Sequence, residues 1–244
     1  MCALNKLYVV GIGPGDSQEM TLRASNALRE SDVIAGYGVY VDLVKPLYPE
    51  KEYLVTPMRQ EAERCRLAIE SARAGKTTAM ISSGDAGVYG MAGLVLELAG
   101  DDVEVEIVPG VTAALSGAAL LGAPLGHDFA VISLSDLLTP WEKIEARLAL
   151  AAQADLCLSI YNPASHRRAD YLNRACGILL RYIEPERPCG VVRNIAREGQ
   201  ETAVMTLREL ADYPADMFTT VFVGNSQTKV INGRLVTPRG YKNV

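Results

Sequence analysis

The sequence predicts an α/β protein of two lobes, each a mostly parallel or mixed sheet flanked by helices. Three observations point there. Short β-branched runs alternate with segments whose apolar residues recur every 3.6 positions, the pattern of strand–helix–strand units. Strands close repeatedly on small residues, at Gly11-Ile-Gly-Pro-Gly-Asp16, at Ser82–Gly90 and at Pro109-Gly-Val-Thr-Ala113. The pattern breaks at Gly122-Ala-Pro-Leu-Gly126, a run poor at continuing a helix and so a candidate linker. Placing the linker there divides the 244 residues into lobes over 1–123 and 124–244, a length that allows each its own core.

Taken in order, Lys6–Ile12 is a strand, and Met20, Ala24, Ala27 and Leu28 mark the apolar face of the helix after the first glycine loop. Asp32–Ala35 is a second strand. Tyr37–Leu47 holds a short helix that Pro46 and Pro49 end. A longer amphipathic helix follows over Met58–Ala74, with Arg59 and Glu63, and Arg66 and Glu70, four apart on a solvated face. The strand entering Ser82 comes next, then a helix over Met91–Ala99, a strand over Val103–Val108 and a helix over Ala114–Leu121.

Beyond the linker, Phe129–Ser135 and Leu156–Tyr161 are strands. The helix between them is expected to start with Thr139 as N-cap, Pro140 in its first position and Glu142 completing a capping box. Arg168–Tyr182 is a helix. Cys189–Arg193, Ala203–Met205 and Thr219–Gly224 are strands, with a short helix from Leu207 capped by Thr206 and Glu209. The tail from Lys229 forms a last edge segment.

Composition narrows the function classes. Hydrophobic residues make up 49% and charged residues 22%, the balance of a globular chain rather than a disordered or fibrous one. Val111–Leu125 is interrupted by Ser116, glycines and Pro124 and falls short of a membrane span. The amino terminus carries Lys6 and leads into a strand without a leader's apolar core, which favours the cytoplasm. Cys2, Cys65, Cys157, Cys176 and Cys189 are scattered, without a Cys-x-x-Cys pair, so buried thiols are expected rather than disulfides or a protein-bound metal. A net charge of −5 argues against broad nucleic-acid binding.

Ligands of parallel sheets bind beyond the carboxyl ends of the strands, so the loops at Gly11, Ser82 and Pro109 are candidate binding elements. Each also reads as a tight turn, with Asp16, Ser17 or Asp85 as a helix cap. The first loop is not a dinucleotide fingerprint, because Asp16 stands where the third glycine belongs, and no Gly-Lys-Ser/Thr follows to make a phosphate loop. An oxidoreductase is thereby disfavoured; a noncatalytic nucleotide-binding regulator remains as a second class.

Gly11-x-Gly-Pro-Gly-Asp16, Ser83-Gly-Asp-Ala-Gly-Val-Tyr89 and Pro109-Gly-Val-Thr112, in this order, resemble the tetrapyrrole methylase family over nearly the whole chain. The resemblance implies a two-lobed homodimer that moves a methyl group from S-adenosylmethionine to a carbon of a tetrapyrrole, the lobes clasping the donor. Gly122–Phe129, Ile132–Trp141 and Tyr161-Asn-Pro163 resemble the branch of the family that also contracts the macrocycle.

By the family pattern Gly84, Asp85, Val88, Thr112 and Ala113 line the donor from the first lobe, and Tyr161, Asn162 and Asn194 from the second. Ring contraction needs a proton removed and a carbonyl polarised, tasks for which Asp16, His127 and Asp128 are the candidates. The acceptor's many carboxylates need guanidinium partners. Pro14, Arg59, Arg167, Arg168 and Arg193 are the candidate acceptor contacts, with Arg64 and Arg197 also available. Neither nucleic acid nor a membrane is an expected partner.

Overall fold

The computed structural model describes residues 5–165 and 168–242. The chain forms two compact units, the first ending at Ala113 and the second beginning at Ala114. The Gly122–Gly126 segment, expected to link the lobes, lies inside the second unit.

The first unit is a five-stranded, fully parallel sheet in the order β3-β2-β4-β1-β5. Its strands are β1 (Asn5–Gly11), β2 (Val33–Tyr37), β3 (Glu52–Thr56), β4 (Thr78–Ser82) and β5 (Val103–Val108). Both faces of β1 are buried, as a parallel sheet between helix layers requires. Tyr8, Val10 and Ile12 pack with helices α1 (Leu22–Glu30) and α2 (Gly38–Val44); Leu7 and Val9 pack on the other side with α3 (Glu61–Arg73) and α4 (Ala92–Leu98). The adjacent strands β1 and β4 therefore send their helices to opposite faces. Their carboxyl ends mark the topological switch point, the place at which parallel sheets hold ligands.

Helix α1 begins later than the Gly11 loop suggests, because Asp16 caps a separate 3-10 turn (Ser17–Glu19) and the Thr21 hydroxyl caps α1 through the Ala24 N–H. Strand β3 was not anticipated: Glu52–Thr56 lies just after Pro46 and Pro49, and pairing with β2 supplies what local pattern does not. Helix α3 starts at Glu61 rather than Met58, because Arg59 adopts a left-handed φ of 67° that no helix accommodates.

The second unit holds a mixed sheet, β10-β9-β11-β8-β7. Its strands are β7 (Phe129–Ser133), β8 (Cys157–Tyr161), β9 (Pro188–Arg193), β10 (Glu201–Thr206) and β11 (Thr219–Val223). Strand β11 runs antiparallel to both β8 and β9, and β7 runs parallel to β8, so β7, β8 and β9 end at one edge. One face packs against α6 (Trp141–Gln153), α7 (Tyr171–Leu179) and α8 (Leu207–Leu210). On this unit's α5 (Ala113–Leu121), the Gly117 Cα comes so near Phe222 and Ile195 that a β-carbon there would lie 2.8 Å from the phenyl ring.

The capping box at Thr206 and Glu209 forms as expected. The one expected at Thr139 does not: Pro140 occupies the N-cap position of α6 and no side chain caps it. Helix α7 is also shorter than expected, Tyr171–Leu179 rather than Arg168–Tyr182. A small sheet closes the unit, with β12 (Lys229–Ile231) pairing with β13 (Arg234–Val236), and β13 with β6 (Gly122–Ala123). The Thr237 hydroxyl donates to the Pro124 carbonyl at 2.6 Å and so holds the connection leading to His127.

Cys65, Cys157, Cys176 and Cys189 are free and buried; Cys2 lies outside the described residues. Burial pushes the Cys65 thiol up to about 11 and the Cys176 thiol up to about 12. No described helix is long and apolar enough to cross a membrane.

Candidate active site

At the carboxyl edge of the first unit's sheet, three strand-end loops meet backbone to backbone. The Gly84 N–H donates to the Gly13 carbonyl at 2.7 Å and the Gly13 N–H donates back to the Gly84 carbonyl at 3.1 Å, clipping the β1 and β4 loops together. Gly84 holds φ +70° and Gly13 φ +78°, a region glycine enters without a steric penalty. The β5 loop approaches as closely. A β-carbon on Gly110 would lie 2.1 Å from the Gly84 carbonyl oxygen, and one on Gly11 would lie 2.7 Å from both that oxygen and the Gly110 nitrogen. Glycine is required at Gly11 and Gly110 because the neighbouring atoms are main chain and cannot rotate away.

Asp85 is turned into this junction. Its Oδ1 accepts the N–H groups of Gly87 at 2.8 Å and Val88 at 3.1 Å, and its Oδ2 accepts that of Gly110 at 2.9 Å. Ser82 Oγ accepts the Met91 N–H at 3.2 Å and closes the far side of the loop. Thr112 and Ala113 follow at half-buried positions, the Thr112 Cα only 3.6 Å from where a β-carbon of Gly84 would stand. Pro14 is buried within the first loop, while Asp16 is exposed, its Oδ1 accepting the Gln18 N–H at 2.7 Å.

Arg59 follows the carboxyl end of β3 and is exposed, its N–H donating to Glu61 Oε1 at 3.2 Å. Arg64, available in the sequence reading, is buried instead: its Nε donates to Thr56 Oγ1 at 2.7 Å and its Nη2 to the Pro57 carbonyl at 3.0 Å. It secures the β3–α3 corner.

In the second unit, the carboxyl edge of β7, β8 and β9 gathers Tyr161, Asn162, Arg193 and Asn194. The Tyr161 hydroxyl accepts the Ala114 N–H at 2.6 Å, at the first turn of α5. Asn162 sits at φ 53° and donates its side-chain N–H to Ser133 Oγ at 2.9 Å; Ser133 Oγ also accepts the Ser135 N–H at 3.1 Å. Asn194 sits at φ 52°, with Nδ2 donating to the Gly199 carbonyl at 3.3 Å. Arg193 Nε donates to Asp216 Oδ2 at 2.8 Å. His127 and Asp128 are exposed just before β7, the Asp128 carbonyl accepting the Cys157 N–H at 3.1 Å.

Arg168 Nε donates to Ser165 Oγ at 3.1 Å, and its Nη1 lies 3.7 Å from Asp136, whose other oxygen accepts the Tyr171 hydroxyl at 2.6 Å. Arg167 and His166 lie outside the described residues. Sequence reasoning gave no role to Ser133, Asp136 or Tyr171, although Ser133, which closes β7, and Asp136 lie within the Ile132–Trp141 stretch that carries part of the resemblance; Tyr171 opens α7 and has no such signal. Among the described residues no group of three or more His, Cys, Asp or Glu is placed to hold a metal ion.

A parallel sheet with glycine-sealed loops at a topological switch point, followed by a second α/β unit with polar residues at one sheet edge, makes this an α/β protein whose loops stand where proteins of that class bind small molecules. The family model for Tetrapyrrole (Corrin/Porphyrin) Methylases matches residues 6–211, and the chain belongs to that family. It is 48% identical to a probable cobalt-factor III C(17)-methyltransferase of Salmonella typhimurium, the match covering 96% of this chain and 99% of that one. It is 39% identical to a precorrin-3B C(17)-methyltransferase of a Sinorhizobium species, covering 96% of each. A longer relative, the cobalt-factor III methyltransferase of Priestia megaterium, is 46% identical and is spanned over 45% of its length.

The fold matches the crystal structure of the methyltransferase CobJ with a TM-score of 0.89 at 38% identity, covering 95% of this chain and 99% of that one. It also matches a uroporphyrin-III C-methyl transferase from Thermus thermophilus complexed with S-adenyl homocysteine, with a TM-score of 0.74 at 27% identity, covering 90% and 97%.

Proposed function

We propose that the chain is an S-adenosylmethionine-dependent C17-methyltransferase of corrin ring synthesis. It methylates precorrin-3B or cobalt-factor III and contracts the macrocycle by extruding the C20 meso carbon, giving precorrin-4 or cobalt-precorrin-4. The observation that carries the reading is the sealed junction of Gly11, Gly84 and Gly110, in a chain similar over its length to enzymes named for this activity.

The junction suits a donor recognised by backbone groups and apolar walls rather than by a strong nucleophile. Gly84, Asp85, Val88, Thr112 and Ala113 are proposed to line it from the first unit, and Tyr161, Asn162 and Asn194 from the second. The donor supplies an electrophilic methyl group, so no protein nucleophile is needed, and the protein's contribution to that step is alignment. Contraction asks more, because a hydroxyl proton must leave and a carbonyl must be polarised. Asp16 is exposed beside the first loop, and His127 and Asp128 precede β7; these three are the groups proposed to take the proton. Arg59, Arg167, Arg168 and Arg193, with Pro14 of the first loop, are proposed to receive the acceptor. Family resemblance further supports a cytoplasmic homodimer, which light scattering at micromolar concentration tests.

Incubation with donor and, separately, metal-free precorrin-3B and cobalt-factor III tests the reading. A mass gain of one methyl, with product NMR placing it on C17 of a contracted ring, is the expected result. Methylation at another ring carbon makes the chain a different precorrin methylase. Donor binding without any turnover makes it a regulator.

A further inference from the structure

We propose that the carboxylate of Asp85 is a positioning group that sets the spacing between the β4 and β5 loops, acting through the main chain of Gly110 rather than by its own contact with the methyl donor, which the main chain of this loop is left to line. The inference rests on the reading of these loops as the donor site.

The two bonds between Gly13 and Gly84 that join the β1 loop to the β4 loop run from main chain to main chain. The β5 loop is held differently. Its Pro109 carbonyl accepts the Thr21 hydroxyl at 3.3 Å, from the start of α1, and its Gly110 N–H donates to Asp85 at 2.9 Å. The Gly84–Gly110 approach is too tight for a β-carbon, so it is a contact of bare backbones that some attraction must hold closed. Asp85 is placed to supply it. A carboxylate has about four acceptor sites, and three of those on Asp85 are taken by backbone N–H groups, two shaping its own turn and one reaching across to Gly110. Bonds of this kind to a charged acceptor are stronger than neutral ones. Two residues beyond Gly110 stands Thr112, so the bond fixes where Thr112 and Ala113 lie relative to Gly84.

The division of labour between the oxygens gives a clean test. In Asp85→Asn, one oxygen still accepts from Gly87 and Val88, but the new amide N–H₂ faces the Gly110 N–H, donor against donor. In Asp85→Ser, the short hydroxyl still serves the local turn and cannot reach Gly110, which provides a second variant should the first fold poorly. Two measurements are made on the full-length protein: calorimetric titration with S-adenosylhomocysteine, and hydrogen exchange of the 109–113 segment without donor. Both variants are expected to bind about tenfold more weakly, the scale of one lost charge-assisted bond. Both are expected to exchange faster over 109–113, with exchange in β7 and β8 unchanged.

Weaker binding with unaltered exchange over 109–113 would mean that the Asp85 carboxylate touches the donor directly, and would overturn the proposal. Faster exchange with undiminished affinity would overturn it too, since loop spacing would then not govern binding. If the unaltered protein fails to bind S-adenosylhomocysteine, the donor reading itself falls, a result distinct from either.

Discussion

The Tyr161 hydroxyl accepts the Ala114 N–H at 2.6 Å, joining the carboxyl end of β8 to the first turn of α5. Helix N-termini leave their first amides without intrahelical partners, and here a tyrosine from a strand fills the role usually taken by Ser, Thr, Asp or Asn. Tyr161→Phe keeps the ring and leaves the amide of buried Ala114 without the hydroxyl. The expected cost is about 1–2 kcal/mol in a urea unfolding titration, together with weaker S-adenosylhomocysteine binding. An unchanged unfolding midpoint would show that water replaces the hydroxyl without loss.

Gly110→Ala drives a methyl group to within 2.1 Å of the Gly84 carbonyl oxygen. The loops must part, at an expected cost of about 2–3 kcal/mol and with loss of donor affinity. Gly93→Ala and Gly177→Ala are the controls, since a β-carbon at either meets nothing within 4 Å in α4 or α7. Helix propensity predicts that each control raises stability by about 0.5–1 kcal/mol. Thermal melts of the three variants should therefore move in opposite directions.

Methyl transfer depends on alignment, whereas contraction also depends on removing a proton. Asp16→Asn retains an oxygen to accept the Gln18 N–H, so the 3-10 turn survives while basicity is lost. His127→Ala removes an exposed side chain before β7. At least one of the two is expected to accumulate a C17-methylated, uncontracted macrocycle, identified by mass, visible spectrum and a labelled methyl carbon. Wild-type yields of contracted product from both variants would remove Asp16 and His127 from the base role.

Arg187 is the buried charged residue among the described residues of the second unit, its side chain only 7% exposed. Its Nε and Nη2 donate to the two oxygens of Glu184 at 2.6 and 2.7 Å, and its Nη1 to the Gly224 carbonyl at 3.1 Å. Arg187→Ala is expected to cost about 3 kcal/mol, the low end for a broken buried pair, because Glu184 and Asp155 are partly exposed and can rehydrate.

The same cluster sets an acid limb. The Arg187 guanidinium holds Glu184 below the usual carboxylate range. Burial pushes Asp155 up, but the Ser226 hydroxyl and N–H and Arg187 outweigh it and hold Asp155 low as well. A folded-state value below the unfolded one means stability that is complete above the unfolded value, about 4.3 for Glu, and lost as pH falls through the folded one. The unaltered protein should therefore lose Tm more steeply than Glu184→Gln below about pH 4.5. Parallel curves would show that solvent screening has erased the pair's contribution.

The strands and helices of this chain were legible in its sequence wherever the signal is local. The run Val103–Val108 alternates and ends at proline, Ala24, Ala27 and Leu28 repeat on one helix face, and Thr206 and Glu209 cap a helix that begins beside them. The glycine loops were legible too, since crowded backbone admits only small residues. What the tertiary structure decided is whatever depends on partners distant in sequence. Strand β3 exists because β2 offers it an edge. Arg64, on a helix with a charged face, turns inward because Thr56 and Pro57 offer acceptors there. Asp85 reads as a loop-tip carboxylate, yet its partner Gly110 lies 25 residues away and meets it only because β1 has brought β4 and β5 to either side of itself. Sequence spacing encodes the period of a helix or strand. It does not encode which loop a carboxylate will face once non-adjacent strands are laid side by side.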